Sequence, residues 1–166
     1  MTIKHWETRT RSEEETIALG RALAAALIAP AWVGLEGPLG AGKTRLVQGI
    51  AEGVGYAGRV RSPTFVLENR YLGAVPLLHQ DLYRLDDPGE DLIADWDEHP
   101  GLVLVEWAER SDERPYRWVR VHLDPESEQV RRVRISWDES IGVLCEEDLP
   151  GGRGADAPGG AGAPLR

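Results

Sequence analysis

A single α/β domain with a mixed sheet, parallel at its core, extended by antiparallel hairpins and flanked by helices, is predicted by three observations. The apolar run Trp32-Val33-Gly34-Leu35 leads into Gly37-Pro38-Leu39-Gly40-Ala41-Gly42-Lys43-Thr44, a complete G-x-x-x-x-G-K-[ST] phosphate loop with a helical pattern behind it. A second continuous apolar run, Leu102-Val103-Leu104-Val105, has the composition of a strand covered on both faces. Segments of alternating polarity bounded by turn residues point to antiparallel pairing elsewhere. The class is therefore the phosphate-loop NTPase type, and 166 residues suffice for one core of ordinary size but not two.

The elements follow in order. Ser12-Glu13-Glu14-Glu15 fits a capping box, with Ser12 as cap and Glu15 reaching back, and Leu19, Leu23 and Leu27 recur at four-residue spacing up to Pro30. That spacing predicts a helix with one buried face. A second helix is predicted from about Lys43 to Ala51, ended by Gly53-Val54-Gly55. Phe65, Leu67 and Val75, Leu77 mark two apolar-rich runs about Leu72-Gly73-Ala74, which predicts an antiparallel hairpin leading into His79-Gln80-Asp81-Leu82-Tyr83-Arg84. A third helix is predicted to start near Pro88 and to cover Glu90 to Trp96, before the strand that Glu106 closes. Two further strands flank the turn Asp124-Pro125-Glu126-Ser127. The first, Trp118 to Leu123, sets Val119, Val121 and Leu123 on one face; the second, Val130 to Trp137, alternates Val133 and Ile135 against Arg132 and Arg134. From Pro150 the composition falls to Gly, Pro and Ala, so the domain is predicted over residues 1–149 and a disordered tail over 150–166. The chain shows no internal repeat.

A formal charge of -9 argues against direct grip on a nucleic-acid backbone, because such readers present a basic face that releases counterions. Any RNA is expected to be held by a partner. The single cysteine, Cys145, has no internal mate and reads as a small buried hydrophobe. Without an N-terminal run of signal-peptide type or a segment of membrane-spanning length, the expected compartment is the cytoplasm.

The loop assigns chemistry to particular residues. Its glycines let the backbone amides turn toward phosphate oxygens, Lys43 reaches the outer phosphates as a point charge, and the Thr44 hydroxyl binds magnesium. Such a site needs a carboxylate for the metal and a group that orients the attacking nucleophile. Glu106 stands at a strand end, where open α/β sheets place their ligands, and would face the metal on Thr44. Asp81 is the second candidate, either as a water-orienting base or as a further magnesium ligand, with a structural hydrogen bond as the competing reading. Ser62 and Thr64 in Ser62-Pro63-Thr64 are placed where a switch loop senses the outermost phosphate, although a plain turn explains the same residues. His79 reads as a satisfied core histidine, and Trp107 as either core or lid.

Taken together, Gly37 to Thr44, Ser62-Pro63-Thr64-Phe65, His79-Gln80-Asp81-Leu82-Tyr83-Arg84-Leu85 and Val105-Glu106-Trp107-Ala108-Glu109-Arg110 occur in an order and at spacings that resemble the TsaE family, also called YjeE, over roughly residues 10 to 137. The resemblance implies a bacterial ATPase needed for making threonylcarbamoyladenosine in tRNAs that read codons beginning with A. It implies partners, TsaD and TsaB, the first of which transfers the threonylcarbamoyl group while ATP hydrolysis resets the complex; tRNA is met only through that complex. Position by position, it implies ATP binding by Gly37, Leu39, Gly40, Ala41, Gly42, Lys43, Thr44 and Arg45, with Lys43 and the loop backbone on the phosphates, and magnesium on Thr44 and Glu106. Asp81 and Trp107 are implied in the ATPase step, Thr16 near the base, and, from the run Arg131 to Arg134, Arg132 near the base as well. The chain departs from the family pattern at Pro38, where Asp is usual and one amide is lost from the phosphate nest, and at Arg45, where a second Thr or Ser is common. Asp91 to His99 also lacks a Leu-Gly usual in the third helix, which leaves that helix's packing open.

Two other activities share the loop. A small-molecule kinase requires a basic lid and an acceptor pocket, and no arginine-rich lid segment is evident. A GTPase-like switch would use Asp86-Asp87-Pro88-Gly89 as its D-x-x-G, but no N-K-x-D guanine-reading motif accompanies it.

Overall fold

The structure is a computed structural model that describes residues 1–151. Its strands are β1 (Ile3–Thr10), β2 (Ala31–Glu36), β3 (Glu68–Leu72), β4 (Pro76–Asp81), β5 (Leu102–Glu106), β6 (Trp118–Pro125) and β7 (Arg131–Asp138), and its α-helices are α1 (Glu13–Ala26), α2 (Lys43–Gly53) and α3 (Gly89–Glu98). The described residues form one seven-stranded sheet in the order β1-β7-β6-β2-β5-β4-β3. β6, β2, β5 and β4 run parallel, while β7 and β1 extend one edge and β3 the other by antiparallel pairing. This is the predicted mixed sheet with a parallel core. Most of the expected tail, residues 152–166, lies outside the described residues. No helix among the described residues is long and apolar enough to cross a membrane.

One face of the sheet carries the larger core, where Leu19 and Leu23 of α1 and Leu46, Val47 and Ile50 of α2 pack on Val33, Leu35, Val121 and Ile135. A smaller core on the other face gathers Trp32, Leu78, Val103 and Val105 under Trp96 of α3. Trp96 settles how α3 packs: its indole N–H donates to Gln80 Oε1 at 2.6 Å, and its ring lies 5.2 Å from that of Trp32. The two helices beside the loop meet through glycines. A Cβ on Gly49 would lie 2.0 Å from the Ile17 carbonyl oxygen, and one on Gly20 would lie 2.4 Å from that of Leu46. Gly49→Ala is expected to force these backbones apart and to cost about 1–3 kcal/mol, read as a lowered denaturant midpoint at unchanged slope.

Several local expectations are corrected. Ser12 caps α1 by accepting from the Glu15 amide at 3.1 Å, but Glu15 reaches back one residue further than a capping box requires, to the Arg11 amide. Phe65 lies outside the hairpin and is 82% exposed, because the Val66 and Leu67 amides both turn onto the Pro63 carbonyl and Leu67 adopts φ 71°. β3 therefore starts at Glu68 and pairs with β4 around Gly73-Ala74-Val75. Cys145 is half-buried rather than buried. Strand β1, absent from the sequence-based expectation, buries Trp6, Thr8 and Thr10 against the core and leaves Glu7 and Arg9 outward.

Candidate functional site

Parallel pairing brings the strand ends to one edge of the sheet. The β4–β5 register sets Asp81 opposite Glu106, and the β2–β5 register sets Leu35 opposite Glu106. The loop after β2 thus passes directly over both carboxylates, the place where open α/β sheets bind ligands. The loop's path depends on glycine at two points. Gly37 has φ 141°, with a would-be Cβ 2.3 Å from the Leu123 carbonyl oxygen, and Gly42, at φ 102°, begins α2 from the left-handed region. The first amides of α2 have no partner within the helix and carry the positive end of its dipole.

A cavity of about 680 Å³ opens over this edge, within the range of small-molecule sites. It is lined by Leu39 to Arg45 of the loop, by Ser62, Thr64 and Asp81, and by Glu106 and Trp107. Thr16 closes the α1 side, with its own hydroxyl 2.8 Å from that of Thr10. Gly37, the first residue of the loop, does not line the cavity but offers its carbonyl to the Lys43 ammonium. Lys43 is 5% exposed, and its ammonium also donates to the Pro38 carbonyl at 3.0 Å and lies 3.9 Å over the Trp107 ring. Burial pushes this ammonium below the usual lysine range, against the upward pull of Glu109, Glu106 and Asp81.

The two acids are held differently. Glu106 is buried, and its Oε1 accepts from the Thr44 hydroxyl at 2.8 Å while Oε2 meets His79 Nε2 at 2.5 Å. Asp81 Oδ2 accepts from Thr64 at 2.8 Å and Ser62 at 3.1 Å, and Oδ1 accepts from the Tyr83 amide at 2.8 Å. Trp107 is half-buried and stands in the left-handed region at φ 60°, a position that costs a bulky residue of order 1–3 kcal/mol and concentrates at functional sites. Its ring covers Lys43, lies 4.9 Å from the tilted ring of Tyr83 and packs against the smaller core. Chemically, the loop amides and Lys43 offer themselves to an anion, and Thr44 with Glu106 offers hard oxygens to a cation. No group of three or more His, Cys, Asp or Glu side chains forms a metal cage among the described residues. That donor set suits magnesium, which takes one or two protein oxygens and completes its shell with phosphate and water.

The structure brings together Thr16, Leu39 to Arg45, Ser62, Thr64, Asp81, Glu106 and Trp107 around the cavity, whereas Gly37 does not line it. It does not bring Arg132 to them. Arg132 points to the opposite face of β7 and pairs with Glu7 at 2.8 Å, whereas Arg131 lines the cavity and donates to the carbonyls of Ala41 and Gly40 at 3.1 and 3.2 Å. The two-residue period of a strand explains the swap, since Arg131 shares parity with the buried Val133 and Ile135. Arg131→Ala is expected to weaken nucleotide binding several-fold and Arg132→Ala to leave it unchanged, as read by titration with a fluorescent ATP analogue. Asp86 to Gly89 line no part of this cavity; Asp87 accepts from the Gly89 amide at the start of α3, a local turn. Sequence reasoning did not single out Tyr83, Glu128 and Gln129, which also line the cavity, while His79, read as a satisfied core histidine, is wholly buried with both ring nitrogens engaged, one of them by Glu106.

Fold and site define a domain of the phosphate-loop NTPase type, with strand-end carboxylates under the loop. The family model of the threonylcarbamoyl adenosine biosynthesis protein TsaE matches residues 10–133, and the chain belongs to the TsaE family. It is 39% identical over 153 residues to the tRNA threonylcarbamoyladenosine biosynthesis protein TsaE of Bacillus subtilis (strain 168), covering 87% of this chain and 94% of that one. Against the protein of the same name from Nostoc sp. the identity is 40% over 132 residues, or 75% and 81% of the two chains. The crystal structure of Bacillus subtilis YdiB superposes with a TM-score of 0.75 at 31% identity, over 89% of this chain and 96% of that one.

Proposed function

We propose that this chain binds ATP with magnesium in the cavity above β2, β4 and β5 and hydrolyses it to ADP and phosphate in support of threonylcarbamoyladenosine formation in tRNA. The observation that carries the chemistry is the 2.8 Å hydrogen bond between Thr44 and Glu106 directly beneath the loop. It sets the two oxygens expected of a magnesium site side by side, next to a lysine whose ammonium is turned into the loop. The tRNA pathway rests on family membership and on the names of the relatives.

In this reading the loop amides and Lys43 hold the outer phosphates, Thr44 and Glu106 hold magnesium, and Asp81 orients the attacking water. Magnesium held there would supply positive charge against the charge of the phosphates. Ser62 and Thr64, already hydrogen-bonded to Asp81, stand at its side of the cavity and respond to the nucleotide's state. Trp107 covers Lys43 and keeps water from the ion pair that forms there. The acidic chain leaves tRNA to its partners, TsaD and TsaB homologues, and hydrolysis resets that complex for further turnovers.

Phosphate release from ATP and from GTP, measured with and without magnesium, tests the enzymatic part. Slow magnesium-dependent release from ATP supports it. Phosphate appearing instead on an added small-molecule acceptor would move the reading to a kinase, and a preference for GTP would move it to a guanine-nucleotide switch.

A further inference from the structure

The Thr44–Glu106 pair continues as a hydrogen-bonded chain that leaves the cavity. Glu106 Oε2 meets His79 Nε2 at 2.5 Å, and His79 is wholly buried on β4. Its other ring nitrogen, Nδ1, lies 3.2 Å from the hydroxyl of Tyr71 on β3, and that hydroxyl lies 3.2 Å from the Arg61 carbonyl. Arg61 directly precedes Ser62, and the Ser62 and Thr64 hydroxyls bond Asp81. One short segment, residues 61–64, is therefore tied to both strand-end acids, to Asp81 directly and to Glu106 through two side chains.

A buried imidazole with both nitrogens engaged is more than a core filler. An aliphatic side chain would occupy the same volume without the desolvation cost of two ring nitrogens, and it would leave Glu106 with a buried oxygen unpaired. A carboxylate that binds a metal with one oxygen commonly has the other held by a neighbour, because that contact fixes its rotamer and its basicity.

We propose that His79, held in turn by Tyr71, is the positioning residue of Glu106: it presents Oε1 toward Thr44 and links that carboxylate to the segment at residues 61–64. The proposal rests on the reading of Thr44 and Glu106 as the magnesium site. Movement of the 61–64 segment is then felt at Asp81 and Glu106 together, so the two acids are set by one element.

The test uses the full chain with His79→Asn, His79→Gln and Tyr71→Phe, and a fluorescent ATP analogue titrated first in EDTA and then with magnesium chloride. Affinity in EDTA is expected to stay within about twofold of wild type, because none of the three side chains reaches the loop amides. The magnesium concentration for half-saturation is expected to rise about tenfold in His79→Asn and by less in Tyr71→Phe. His79→Gln, whose amide nitrogen reaches close to the Nε2 position, is expected to recover much of the loss. A magnesium requirement unchanged in Tyr71→Phe and in folded His79→Asn overturns the proposal, as does a lowered melting temperature with no change in that requirement. If His79→Asn fails to fold, Tyr71→Phe, which keeps the ring, decides alone. Wild type binding the analogue with no dependence on magnesium removes the metal reading itself, an outcome distinct from variants that match a magnesium-dependent wild type.

Discussion

Lys43→Ala lowers affinity for ATP by about 10- to 100-fold, the loss expected when a charge-assisted contact to phosphate is removed from a dry site. The ammonium sits among the Gly37 and Pro38 carbonyls under the Trp107 ring, where bound phosphate would replace those carbonyls as its partner. Titration of wild type and variant with a fluorescent ATP analogue checks the magnitude. The pH dependence has a fixed sign. Burial lowers the Lys43 pKa in the free protein from 10.5, whereas bound phosphate favours the charged form. Affinity is thus fully present below the lowered free-state value and declines as pH rises through it, earlier than an exposed lysine would dictate. Flat affinity up to pH 10.5 would contradict this account of Lys43.

Glu106→Gln and Asp81→Asn lower the rate of ATP hydrolysis by about 100-fold or more, while affinity for ATP changes far less. Glu106→Gln keeps the shape of the side chain but weakens the hard oxygen shared with Thr44, so its loss grows at limiting magnesium. Asp81→Asn puts a donor where the Ser62 and Thr64 hydroxyls or the Tyr83 amide now donate, so it removes the charge and disturbs the 61–64 segment together. Steady-state phosphate release over a range of magnesium concentrations separates the two. Two variants that turn over at the wild-type rate would place the chemistry elsewhere, as a module holding nucleotide only as a structural ligand requires.

The parts of this fold legible in the sequence are those where local pattern and tertiary role agree. The phosphate loop needs Gly37 and Gly42 for backbone reasons and Lys43 and Thr44 for chemical ones, so its signature survives without context. Leu102 to Val105 read as a strand because both faces of β5 are covered. β1 escaped notice because its inward positions after Trp6 are Thr8 and Thr10, so polarity hardly alternates along it. Phe65 was misread because an aromatic in an apolar run implies a strand, whereas the turn onto Pro63 and the exposed ring, stacked 4.3 Å from the Arg84 guanidinium, are set by the surroundings. Arg131 was legible and missed: its parity with Val133 and Ile135 placed it toward the loop from the start. His79 shows the opposite limit, since nothing local distinguishes a core histidine from one that grips a strand-end carboxylate two strand positions and one neighbouring strand away.

The central claim is that ATP hydrolysis in this cavity resets a modifying complex. It is tested most directly by counting threonylcarbamoyl-tRNA formed per complex of purified TsaD and TsaB homologues, with wild type, with Asp81→Asn, and with wild type given a non-hydrolysable ATP analogue. The account predicts repeated turnovers only with wild type and hydrolysable ATP, and about one round or fewer in the other two reactions. Equal numbers of turnovers in all three would contradict it.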